Sequence, residues 1–189
     1  MQFDNDIESC LEVLHAGGII LYPTDTVWGI GCDATNEKAV AKVYTVKKRN
    51  EEKSMIILVA DESAILDYIN HPNPIIFDYI KGIHKPTTVI YGNAKGLAKN
   101  LLSSDGSVGI RIVKDKFCRQ LIIRFGKPIV STSSNVSGFP PPAYFEDIDI
   151  LIKSGVDYIV QHRQDDFTPA EPSTVVKLDN DGKINIIRP

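Results

Sequence analysis

Several things this chain lacks narrow the reading early. It has three cysteines, Cys10, Cys32 and Cys118, far apart and odd in number. With no C-x-x-C pair, neither a disulfide framework nor a zinc ribbon is expected. The four histidines show no metal-ligand spacing, so no protein-held metal is expected. No apolar run approaches the roughly 20 residues of a membrane helix. The start, MQFDNDIESC, has no basic-then-apolar targeting segment. The expectation is a cytoplasmic, reduced protein with no membrane contact. The sequon at Asn135-Val136-Ser137 then carries no meaning. An excess of positive charge is also missing: 21 basic residues stand against 24 acidic ones, a net charge of −3. That argues against a surface built for sequence-independent nucleic-acid binding. A Walker loop, G-x-x-x-x-G-K-[ST], occurs nowhere, so any nucleotide is held by another route.

What is present is apolar bulk in short, mixed periodicities. The chain has 189 residues, 43% of them hydrophobic, which suits one domain over 1–189 with a sizeable core. Residues 4–16 read as a helix capped by Asp4 or Asn5, with Ile7, Cys10, Leu11 and Leu14 on one face and Gly17 as its stop. A second helix runs from a cap at Thr35 or Asn36 to about Lys48, acidic first and basic last, in keeping with the helix dipole. Shorter helices are expected at 61–69, 75–80 and 145–153. Another follows a cap at Asp115 and closes at Gly126. Strands are expected at 19–21, 55–60, 87–91, 108–113, 128–132, 158–160, 174–178 and 184–187. Residues 92–104 read as loop with some helix, 137–143 as a rigid loop and 165–172 as a linker-like stretch. Strands mixed with helices throughout predict an α/β fold with a mostly buried, mixed sheet.

Four stretches carry the chemistry. GGIILYPTDTVWGIGCDA, residues 17–34, is a buried strand that opens into hydroxyls, a carboxylate and glycines, a setting for a ligand or a plain tight turn. Within it, residues 29–34 fit G-x-G-x-x-A, but Pro23 to Trp28 separate them from their strand, so the dinucleotide reading fails. Lys47-Lys48-Arg49, with Lys53, is a basic cluster that reads as a solvated helix end or as phosphate binding. STSSNVSG, residues 131–138, crowds hydroxyls and an amide after an apolar strand, as a capped turn or an anion site. Arg111 is a cation inside a strand of apolar residues. It needs a partner, either a carboxylate of the fold or a ligand.

Together with Pro86-Thr87-Thr88, VGIR at 108–111, PSTVV at 172–176 and the terminal IIRP, these stretches resemble the YrdC/Sua5/YciO family from about Gly17 to Pro189. The resemblance is to the family's short, TsaC-like threonylcarbamoyl-AMP synthases, without the separate C-terminal domain of Sua5. It implies a twisted sheet with flanking helices and a deep, positively charged concave cleft. It implies the reaction of ATP, L-threonine and bicarbonate to threonylcarbamoyl-AMP and pyrophosphate, feeding the t6A modification of tRNA. Mg2+ carried by the phosphates, an RNA or tRNA partner, double-stranded RNA binding and downstream pathway proteins belong to the same implication.

Position by position, the resemblance assigns Lys47, Arg49 and Lys53 to the ATP phosphates, the first two as catalytic charges. Ser107, Ser133, Asn135 and Arg188 fall to the nucleotide. Thr26, Arg111, Ser131 and Ser173 fall to threonine, with Arg111 facing its carboxylate. Asn50 stands where many relatives have Pro, and Trp28 where Tyr is common. Leu58 occupies a position where many synthases have His, and only part of the usual P-G-P-x-T remains. Two other readings compete: a YciO-like paralogue with a nucleotide pocket and no synthase activity, and an RNA-binding module. Asn135 and the Lys47/Arg49 pair favour the synthase over the first. Net acidity and few clustered aromatics weigh against the second.

Overall fold

A computed structural model describes residues 3–50, 54–179 and 182–189. Among them nine strands form one mixed sheet. The helices are α1 (Asp4–His15), α2 (Glu37–Lys47), α3 (Ser63–Tyr68), α4 (Ile75–Lys81), α5 (Lys116–Phe125) and α6 (Ile150–Gly155). The strands are β1 (Ile20–Tyr22), β2 (Gly29–Gly31), β3 (Ile56–Val59), β4 (Thr87–Tyr91), β5 (Val108–Ile112), β6 (Ile129–Ser133), β7 (Tyr158–Ile159), β8 (Thr174–Leu178) and β9 (Ile184–Arg188). Their order across the sheet is β7-β1-β2-β6-β3-β5-β4-β8-β9. The pairs β1–β7, β3–β5 and β4–β8 are parallel; the other neighbours are antiparallel.

The elements follow from local chemistry. Asn36 caps α2 by accepting from the N–H groups of Lys38 and Ala39, and Asp115 caps α5 by accepting from Cys118. Gly126 ends α5 at φ 73, a backbone angle that favours glycine. α1 buries Ile7, Cys10 and Leu14 and lies against α5. Three expectations need correction. No side chain caps α1: Phe3 holds the cap position, and neither Asp4 nor Asn5 does the work. The last helix begins at Ile150 rather than near 145, because Asp149 accepts from Leu151 N and sets its start there. The glycines after Trp28 form strand β2, not open loop.

β2 explains the glycines. It is squeezed between β1 and β6, pairing Gly31 with Ile20, and Gly29 with Ser133. A methyl group on Gly31 would come within 2.6 Å of the Tyr22 ring and 2.8 Å of the Val130 carbonyl. The register also fixes what one sheet face displays. Leu58 of β3 and Thr88 of β4 flank Arg111 of β5, and Ser131 of β6 flanks Ile56 of β3. With side chains alternating along each strand, these residues share a face. Leu58 and Thr88 are fully buried there, beside an almost equally buried Arg111.

Candidate active site

The loop from Pro23 to Trp28 is held in shape by its own hydroxyls. Thr24 Oγ1 accepts from Thr26 N at 3.0 Å, donates to the Val27 carbonyl at 2.8 Å and lies 2.9 Å from Thr26 Oγ1. This places Thr26 on the wall of a 250 Å3 cavity whose lining also includes Arg49, Arg111, Ser131, Ser133, Ser173 and Arg188. Three arginines and no carboxylate line it among the described residues. An adjoining cavity of 370 Å3 shares Ser54, Met55, Ile56 and Val175 with the first and takes in Ser107, Thr88 and Asp105. Asp105 fixes Ser107 by accepting from its N–H and its hydroxyl, at 3.0 and 2.6 Å. Eight of the eleven residues singled out from the sequence therefore line this pair of adjoining hollows.

The other three stand differently. Lys53 lies outside the described residues. Lys47 is almost fully buried and lines neither cavity. Its ammonium donates to the carbonyls of Ser133 and of Asn135, the latter at 2.7 Å. Its own carbonyl accepts from Ser137 N at 2.8 Å. Burial, and then the charge of Arg49, push its pKa down to about 7. Lys47 is thus a peg under the serine-asparagine turn. Asn135 holds the same turn from within. Its Nδ2 donates to the carbonyls of Val136 and Phe139, at 3.0 and 2.6 Å, and Ser133 Oγ donates to its Oδ1 at 2.5 Å. Its side chain borders a separate 360 Å3 cavity beside the prolines at 140–142.

The remaining groups are set by second partners. Arg49 is half-buried, its Nη2 donates to the Ser54 carbonyl at 2.9 Å, and burial lowers its pKa. Ser173 Oγ lies 2.8 Å from Thr88 Oγ1, and Arg188 donates to the Ser173 carbonyl at 2.8 and 3.2 Å. Arg111 finds its carboxylate in the fold: Nη2 is 3.0 Å from Asp25 Oδ1, both side chains buried. Sequence reasoning left out Asp25 and Thr88 as site residues. Both sat in noted stretches, and the demand that Arg111 have a partner was the signal for Asp25. Trp28 does not line the cavity; its ring lies 4.8 Å from that of Phe145, tilted by 48°. Among the described residues no group of three or more His, Cys, Asp and Glu gathers to hold a metal ion. None of the described helices is long and apolar enough to cross a membrane.

A family model for Sua5/YciO/YrdC, described as "Telomere recombination", matches residues 12–189. This chain belongs to that family. The Sua5/YciO/YrdC relationship extends to a threonylcarbamoyl-AMP synthase of Vibrio parahaemolyticus, 30% identical over 149 residues, 77% of this chain and 80% of that one. In structure, the chain is similar to P. abyssi Sua5 complexed with L-threonine, with a TM-score of 0.85 at 21% identity. That match covers 97% of this chain and 53% of the P. abyssi chain, so this chain spans about half the length of that Sua5. It is also similar to E. coli YciO, with a TM-score of 0.83 at 22% identity, over 97% of this chain and 88% of that one. At such identities the two structures show the family fold and nothing finer.

Proposed function

We propose that this chain, as a single YrdC-like domain over residues 1–189, is a nucleotidyltransferase that makes L-threonylcarbamoyl-AMP and pyrophosphate from ATP, L-threonine and bicarbonate. The observation that carries the proposal is the convergence of Thr26, Arg49, Arg111, Ser131, Ser133, Ser173 and Arg188, from segments far apart in sequence, on one cavity. The named synthase relative supports the same reading. The threonine amine forms an N–C bond to the bicarbonate carbon, with loss of water, to give a carbamate. A carbamate oxygen then attacks the α-phosphorus, the bond to the β-phosphate breaks and pyrophosphate leaves.

Such a step asks for placement and charge stabilisation rather than a protein nucleophile. Arg49 and Arg188, with Lys53, suit the phosphates, and Ser133 and Ser107 suit the nucleotide. Arg111, Thr26, Ser131 and Ser173 suit the amino acid. Lys47 and Asn135 act one step back, by fixing the turn that presents Ser133. With no carboxylate in the lining, the donor set fits a Mg2+ carried by the phosphates rather than a protein cage. Cytoplasmic action in t6A synthesis, hand-over to pathway proteins and a salt-sensitive contact with RNA complete the proposal.

The test is pyrophosphate release in the presence of ATP and bicarbonate, with and without L-threonine. Release should require threonine; release without it points to a different activity, as in a YciO-like paralogue. Arg49→Ala should lower turnover on the order of a hundredfold, with an unchanged circular dichroism spectrum. Unaltered turnover would remove Arg49 from the machinery.

A further inference from the structure

Arg111 enters its cavity with a charge already balanced and hydrogen bonds still open. Asp25 Oδ1 approaches Nη2 to 3.0 Å, with side chains 9% and 3% exposed respectively. The contact brings the charges together without aiming an N–H along it. Asp25 Oδ1, Arg111 Nε and Arg111 Nη2 are all buried and make no hydrogen bond within the described residues. Unmet buried groups of this kind are costly to the fold, and a partner that meets them is favoured. Nothing on the neighbouring strands relieves them, since Leu58 and Thr88 flank Arg111 and the Thr88 hydroxyl is turned to Ser173. Asp25 itself stands on the far side, beside a 330 Å3 cavity that shares Thr26 and Pro172 with the first. Its other oxygen accepts from Lys114 N at 3.4 Å.

We infer that Asp25 is a specificity-determining residue: it makes the Arg111 end of the site select a zwitterionic α-amino acid over a simple carboxylate of the same shape. The inference rests on the reading above that Arg111 receives the amino acid's carboxylate. A carboxylate can meet the open guanidinium donors as a fork. It also brings a second negative charge close to Asp25, in a place screened far less than water. A ligand with an ammonium group next to its carboxylate returns the local sum to zero. Arg49 and Arg188 line the same cavity, while in the one beside Asp25 the charges of Lys85 and Arg163 are matched by Glu171 and Asp166, at 3.7 and 2.9 Å. The phosphates of bound ATP offset the first two. Selection by charge count of this sort works by penalising the wrong ligand as much as by holding the right one.

The test compares L-threonine with 3-hydroxybutyrate, the same skeleton without the amine. Binding is measured by calorimetry on the full chain, with and without α,β-methylene-ATP, which cannot release pyrophosphate. The wild type should prefer threonine by at least tenfold or so. Asp25→Asn should lose roughly tenfold in threonine affinity and hold or gain affinity for 3-hydroxybutyrate. A residue that only kept the fold intact would weaken both ligands alike; that result, or an unchanged ratio, overturns the inference. Should Asp25→Asn fail to fold, equal binding of the two ligands by the wild type overturns it just as well. Threonine selectivity without pyrophosphate release would sink the synthase reading and leave this one standing. A chain that binds no threonine sinks both.

Discussion

Lys47 shows how far a residue type can mislead and still inform. In sequence it is the head of a basic cluster, and its charge suggests phosphate. In the fold it is buried, and a neutral amine has two N–H donors, as many as the carbonyls of Ser133 and Asn135 that face it. Its pKa, brought from 10.5 down to about 7 by burial and then by Arg49, lies below its unfolded value. The sign follows. Below about pH 7 both states carry the proton and the native state bears the whole cost of a buried charge. Between about 7 and 10.5 the unfolded chain binds the additional proton, so stability rises with pH. The unfolding free energy of the wild type, relative to Lys47→Met, should therefore grow between pH 7 and 9 by roughly 1 kcal/mol per pH unit. Denaturant titrations at three pH values would measure it, and a flat difference would show an ammonium with an ordinary pKa. Burial depth is a property of the neighbours, which is why no reading of Lys47-Lys48-Arg49 alone could supply it.

At the level of elements, the legible parts were those whose rules are local. β4 and β8 fall where their β-branched runs place them, and α2 and α5 start at the capping residues that their sequences offer. β2 was not legible, because two glycines and one isoleucine carry no strand signature, and their reason is a crowded interface with β1 and β6. The crowding makes a prediction. Gly31→Ala must push its methyl against the Tyr22 ring, the Val130 carbonyl and Ile129, all inside 3.0 Å. Overpacking of this degree costs about 3 kcal/mol. At Gly92, with nothing within 4 Å of an added methyl, the same change should stay within about 0.5 kcal/mol. Equal stability of the two variants in urea would contradict the tight seating of β2. The helix expected from 145 failed for a related reason. Phe145 is apolar because it meets Trp28, not because it belongs to a helical stripe.

Across the whole molecule, the site exists only as a consequence of strand order, and strand order is the least local property of all. Thr26 comes from the β1–β2 loop, Arg49 from the end of α2 and Arg111 from β5. Ser131 and Ser133 come from β6, and Ser173 and Arg188 from the one end of the β8–β9 pair where β8 starts and β9 finishes. The sequence motifs named these residues through resemblance; only the crossovers β2-β6-β3-β5-β4-β8 bring them together. A ligand seated among them ties together segments that separate on unfolding, so it binds the native chain and not the unfolded one. At a hundred times its dissociation constant it adds about 2.7 kcal/mol. For a chain of this length each kcal/mol raises the melting temperature by about 2–4 °C, so saturating ATP with Mg2+ should raise it by about 5–10 °C. L-threonine added to α,β-methylene-ATP should raise it further, since the two occupy different parts of the lining. Arg49→Ala should diminish the nucleotide's share and leave that of threonine in place. A melting temperature indifferent to both ligands would mean that the arginines and hydroxyls meet around the cavity for the fold's sake alone.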